Sequence, residues 1–153
     1  MSSKHHHLSA RTRARLRAAD TLFEAEIKGF GSDPDGLRGL AAKRKVVSTR
    51  QTGLPAYAEQ VVLGVADHID AINDALAAHS HEWALDRMPA TDLVAMRIGA
   101  WEILFNDDVP DTVAISEAIA IVRLIGTDKA PAFVNGLLDA IRKDKYTDDD
   151  DAS

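Results

Sequence analysis

A chain of 153 residues without cysteine is long enough to bury a sizeable core and cannot use disulfides, a thiolate nucleophile or cysteine–zinc ligation. No apolar run approaches the ~18 residues that a membrane-crossing helix needs, and the polar, basic start lacks the apolar stretch of a secretory signal, so a cytoplasmic location is expected. The net charge of -6 is unevenly held: residues 1–50 carry 11 Lys and Arg against 5 Asp and Glu, and residues 51–153 carry 7 against 19. A basic head on an acidic body suggests an anionic partner such as nucleic acid at one end and a basic protein on the other.

Residues 1–8 are expected to be a disordered tail. His5, His6 and His7 within it are either native or the remnant of a tag. Ser9 is a candidate N-cap for a helix running to about Lys28, whose start carries Arg11, Arg13, Arg15 and Arg17. Arg11 with Arg15, and Arg13 with Arg17, are i,i+4 pairs of like charge, and each pair repels by a few tenths of a kcal/mol. A phosphate backbone would relieve that repulsion, so this segment is expected to order on RNA. The plainer alternative is a solvated helical end. Ala19, Leu22, Phe23 and Ile27 form the stripe that anchors the helix.

Gly29 to Gly36 is turn chemistry. A weak helix follows from about Leu37 to Val47, with Lys43, Arg44 and Lys45 as a second basic cluster, read as solvated surface. Pro55 opens a long helix to about Ala78, with Ala58, Val61, Val62, Val65, Ile69, Ile72 and Leu76 on its core stripe. Asp67, Asp70 and Asp74 share another face of it, read as solvated. Trp83 and Leu85 are expected in the core or at a domain junction.

After Met88-Pro89 the spacing of Val94, Ile98, Trp101 and Phe105 marks one face of a helix that ends before Val109-Pro110. Thr112 to Ile125 carries Ile115, Ala118, Ile119, Val122 and Ile125, and Gly126 is expected to stop it in a left-handed conformation. A last helix starts near Pro131 with Phe133, Val134, Leu137, Leu138 and Ile141. Gly136 inside it costs about 1 kcal/mol relative to alanine, which points to close helix–helix approach there. The run Asp148 to Asp151 closes an acidic tail, residues 146–153, expected to be disordered.

No phosphate-loop, dinucleotide, nucleophile-elbow or H-E-x-x-H pattern is present, and no metal-ligand spacing stands out. The chain is therefore read as a non-enzyme without cofactor or metal. Four arginines near one helix start are the better-supported constellation. They can neutralise phosphates, with a salt slope of about -0.7 per contact on single strands.

The strings MRIGAWEIL, VAISEAIAIVR after a valine–proline pair, and PAFVNGLLDAI resemble the NusB family of bacterial transcription antitermination factors over roughly residues 8–145. The resemblance implies an all-α fold of about seven helices in two packed subdomains, about 9–80 and 81–145 of a single 9–145 domain. It also implies that the arginine head holds a short single-stranded RNA element called boxA. Arg11, Arg13 and Arg15 match the family's arginine-rich motif, and Arg17 looks like an addition. A second RNA surface is implied at the start of the last helix, where Lys129 and Phe133 stand; Lys129 is basic where relatives often carry an acid.

The same resemblance implies a contact with a small-subunit ribosomal protein, NusE, through Phe23, Asp86 and Asp92. Asp92 also suits a purely structural place at a helix N-terminus. The complex would travel with RNA polymerase during ribosomal RNA synthesis. Other readings remain open: a protein–protein adaptor, a homodimer that hides its RNA surface, or the RNA-binding front domain of a ribosomal RNA methyltransferase.

Overall fold

The computed structural model describes residues 8–46, 53–81 and 83–152; the side chains of 148–152 are outside the description. Of the tail expected over residues 1–8, residues 1–7, with the three histidines, lie outside the described residues. Among the described residues all regular structure is helical, as the resemblance implied. Seven α-helices among the described residues fall into two units, one ending at Asp67 and one beginning at His68.

The first unit holds α1 (Ala10–Ile27), α2 (Pro34–Lys45) and α3 (Ala56–Asp67), each packed on the other two. Ser9 caps α1 as its spacing foretold: its hydroxyl accepts from the Thr12 amide at 3.0 Å, satisfying an otherwise orphan donor. At the other end Gly29 takes φ +90°. That lets the Phe30 amide donate to the Ala25 carbonyl and the Gly29 amide to Glu26, the Schellman pattern that only a residue tolerant of positive φ makes cheaply. Asp33 caps α2 and Pro34 opens it, a position where proline's missing N–H is no loss. The interior is built of small residues: Ala14, Ala18, Ala19 and Ala25 on α1 and Ala58, Val61, Val62 and Val65 on α3 are all buried, as are the larger Leu22 and Leu37.

The second unit holds α4 (Ile69–His79), a 3-10 turn (Leu85–Arg87), α5 (Ala90–Phe105), α6 (Asp111–Ile125) and α7 (Ala130–Ala152). Helix α5 is its centre. Every residue from Asp92 to Ile103 is buried, and α4, α6 and α7 pack around it. Ile98, Trp101, Ile115, Ile121, Leu138 and Ile141 supply the bulk of the core.

Several expectations need correcting. The long helix from Pro55 is two helices, because His68 leaves the α region (φ -124°, ψ 23°) where its ring stacks flat on Phe105, centroids 3.8 Å apart. The unit boundary follows that break rather than falling near residue 80, since α4 packs on α5 and α7. Gly126 is extended (φ -94°, ψ -170°), not left-handed. A Cβ there would meet the Asp92 carboxylate at 2.5 Å and Val122 at 2.8 Å, so crowding and not φ demands glycine. Gly136 is exposed with open space beside it, whereas a Cβ on Gly99 would meet Leu138 at 2.6 Å and Ala118 at 3.3 Å. Close helix approach occurs at Gly99. Trp83 is 50% exposed rather than core. The acidic tail expected from 146 continues α7 to Ala152, and the residue just before it, Lys145, is held by its ammonium, which donates to the Ile103 carbonyl at 2.9 Å and to Asp111.

Candidate nucleic-acid interface

The four arginines are sorted by α1 into different surroundings. Arg11 is exposed, with its guanidinium carbon 3.9 Å from the centre of the Tyr57 ring on α3. Arg13 is exposed and donates to the Leu8 carbonyl. Arg17 is half-buried and lines a cavity of about 370 Å³ with Asp20, Thr21, Glu24, Arg44 and Leu54. Arg15 departs from the expectation of four open cations. It is only 2% exposed and lies 5.4 Å from the same Tyr57 ring. Its position on the α1 stripe with Ala14, Ala18 and Ala19 turns it inward, so a phosphate has no direct access to it.

The start of the helix carries supports of its own. Ser9 caps it, and the Tyr57 ring lies against both members of one repelling pair, an attraction available to a cation within ~6 Å of an aromatic face. This offsets the i,i+4 repulsion.

Around the cavity the charges are paired. Arg44 bonds Glu24, and Lys28 bonds the other oxygen of Glu24 at 2.9 Å. The hydrogen bond from Arg44, then that from Lys28, holds the Glu24 carboxyl below the usual glutamate range. Desolvation raises Asp20, and the charge of Arg17 only partly opposes it. Lys45 reaches Glu59 at 3.3 Å, and Arg38 reaches Asp67 at 2.9 Å. Arg44 and Lys45 of the second basic cluster are thus paired within the unit, and Lys43 is exposed. Asp67 closes α3 while Asp70 and Asp74 lie on α4, so the three do not share a helix face.

In the second unit Lys129 is exposed in the turn before α7 and Phe133 is half-buried in its first turn. Of the residues assigned to a partner protein, Phe23 is half-buried on α1 in the first unit. Asp86 is exposed in the 3-10 turn of the second. Asp92 is 5% exposed. Its carboxylate accepts from the Thr127 amide at 3.2 Å and the Thr127 hydroxyl at 2.9 Å. That geometry favours the structural reading of Asp92: it ties the turn that carries Lys129 to the start of α5. Tyr57 and Gly99 escaped the sequence reading. Tyr57 is one of only two tyrosines and sits one residue inside a helix start, but nothing local shows what its ring covers.

No helix among the described residues is long and apolar enough to cross a membrane, and they hold no group of three metal-ligating side chains. Fold and surface together define a small all-helical module with a cationic face on its first helix. The match to known proteins is extensive. A model of the NusB family covers residues 12–143, and the chain belongs to that family. Two curated relatives, both named transcription antitermination protein NusB, come from Nocardioides sp. and Arthrobacter sp. The first is 42% identical over 90% of this chain and 97% of its own length. The second is 45% identical over 89% and 95%. Among solved structures, T. maritima NusB superposes with a TM-score of 0.71 at 29% identity, covering 88% of this chain and 92% of that one. A structure of antitermination factors NusB and NusE in complex with double-stranded RNA matches in fold, with a TM-score of 0.66 at 24% identity over 88% and 98% of the two chains.

Proposed function

We propose that this chain is a non-enzymatic RNA-binding factor of transcription antitermination. It holds boxA-type single-stranded RNA together with the ribosomal protein NusE and acts with RNA polymerase in the cytoplasm. The observation that carries the reading is the start of α1, where Arg11 and Arg13 stand exposed on a capped helix in a chain whose family relatives are antitermination proteins. Exposed, fixed guanidinium groups suit phosphate recognition because they present planar forks of N–H donors. In the first unit Arg11 and Arg13 lead, with Arg17 beside them; in the second, Lys129 and Phe133 would contribute. Phe23 and Asp86 are the partner-facing candidates. Arg15 and Asp92 act from within, by supporting the surfaces that make contact.

The test is fluorescence anisotropy with a boxA-like RNA and a scrambled control at two salt concentrations, with and without NusE. The expected result is tighter binding to boxA, strengthened by NusE, and lost in Arg11→Glu/Arg13→Glu with the melting temperature kept. Equal, weak, salt-sensitive binding to both RNAs would reduce the head to a generic polyanion patch and favour an adaptor.

A further inference from the structure

Tyr57 has no place in the reading above, yet it is the group that touches the leading arginine. The Arg11 guanidinium lies over its ring at 3.9 Å, and Arg15, one turn on, approaches the same ring at 5.4 Å. Among the described residues Arg11 makes no salt bridge, and that contrast matters. Arg44 is held by the Glu24 carboxylate, which takes one of its N–H donors and offsets its charge. An aromatic face holds a guanidinium through the ring quadrupole instead. It fixes the plane of the group while leaving the charge and the N–H edge open. A side chain ordered in this way loses less entropy on gripping a phosphate.

We propose that Tyr57 is a positioning residue of the RNA surface: its ring orients Arg11 for contact with an RNA phosphate, and the buried Arg15 lies near the same ring. The proposal rests on the RNA-binding reading above. It applies within the first unit, whose α1 and α3 carry all three groups.

The test is a double-mutant cycle in the full chain, read by anisotropy on boxA-like RNA at two salt concentrations, with melting curves alongside. Tyr57→Leu is expected to weaken binding about three- to tenfold, and Tyr57→Phe to retain it. Arg11→Gln should weaken binding and flatten the salt slope by about 0.7. Once Arg11 is glutamine, Tyr57→Leu should weaken binding no further, because the ring acts through that arginine. An equal loss from Tyr57→Leu in both backgrounds overturns the proposal. So does a lowered melting temperature with unchanged affinity, which would make the ring simple packing. Wild-type protein that binds no RNA would sink the RNA reading itself, before any variant is compared. Should Tyr57→Leu fail to fold, the Arg11 Nε–Hε resonance of the wild type decides. A ring-current-shifted signal that stays sharp with RNA bound is expected, and a random-coil position overturns the proposal.

Discussion

The two units bury charge in different ways. In the second, the buried polar groups Asp92, Arg97, Glu102 and Asn106 belong to the central helix or its end. Three of them have a partner within the unit: Asp92 holds Thr127, Arg97 donates to Asn73 at 3.0 Å, and Asn106 accepts from the Asp108 amide at 3.2 Å. These bonds fix turns and helix contacts. Among the described residues of the first unit Arg15 alone is a buried charge. The others, Glu24, Arg38, Arg44 and Lys45, pair at partly open edges between helices. A charged residue in a pattern of like charges is thus no guide to its own exposure. The neighbouring helix decides.

The sharpest way to break this comparison is to treat Arg11 and Arg15 alike. Arg15→Ala removes a buried group and strands its partners, at a cost of about 1–3 kcal/mol. Arg11→Ala removes an exposed one and should stay within about 0.5 kcal/mol. Urea unfolding of both variants measures the gap. Equal stabilities would mean that Arg15 is as open as its neighbour and that the first unit holds no buried charge.

A smaller effect separates two glycines of the second unit. Gly99→Ala gains about 1 kcal/mol of helix propensity but presses a methyl group on Leu138 at 2.6 Å. Overpacking of a dense core costs about 1–3 kcal/mol, so the net change should be destabilising. Gly136→Ala meets nothing within 4 Å and should stabilise by up to about 1 kcal/mol. The same substitution therefore carries opposite signs two helices apart, read as opposite shifts in melting temperature. Shifts of the same sign would contradict the packing of α5 on α7.

Helical periodicity made much of this architecture legible. Val94, Ile98 and Trp101, and Ile115, Ala118 and Val122, are buried as their spacing requires, whereas Phe105 and Ile27, the last members of the α5 and α1 stripes, are exposed and Ile119 and Ile125 half-buried; Ser9 and Gly29 punctuate α1 through chemistry that acts over a few residues. What stayed hidden depends on partners remote in sequence. The break at His68 has no glycine or proline to announce it and coincides with a stack on Phe105. Gly126 is required by Asp92, Gly99 by Leu138, and the burial of Arg15 by a helix some 40 residues away. Within the candidate interface the arginine head was readable from composition. Which of its members remains open, and what holds Arg11, was not.

The smallest effect tests the surface pairing of the first unit. Arg44 and Lys28 hold the Glu24 carboxyl below its ordinary value of 4.5, so its charged form is favoured by folding. The stability this contributes is complete above pH 4.5 and disappears as the pH falls through the lower folded value. Partial exposure and salt limit it to a few tenths of a kcal/mol. Wild type should therefore unfold slightly later than Glu24→Gln at pH 7, and the difference should close on acidification below about pH 4.5. High salt at pH 7 should shrink it as well. A difference that survived both acid and salt would show that Glu24 acts by packing in the cavity beside Arg17. The first unit would then hold its helices as the second does, by buried contacts and not by charges at the rim.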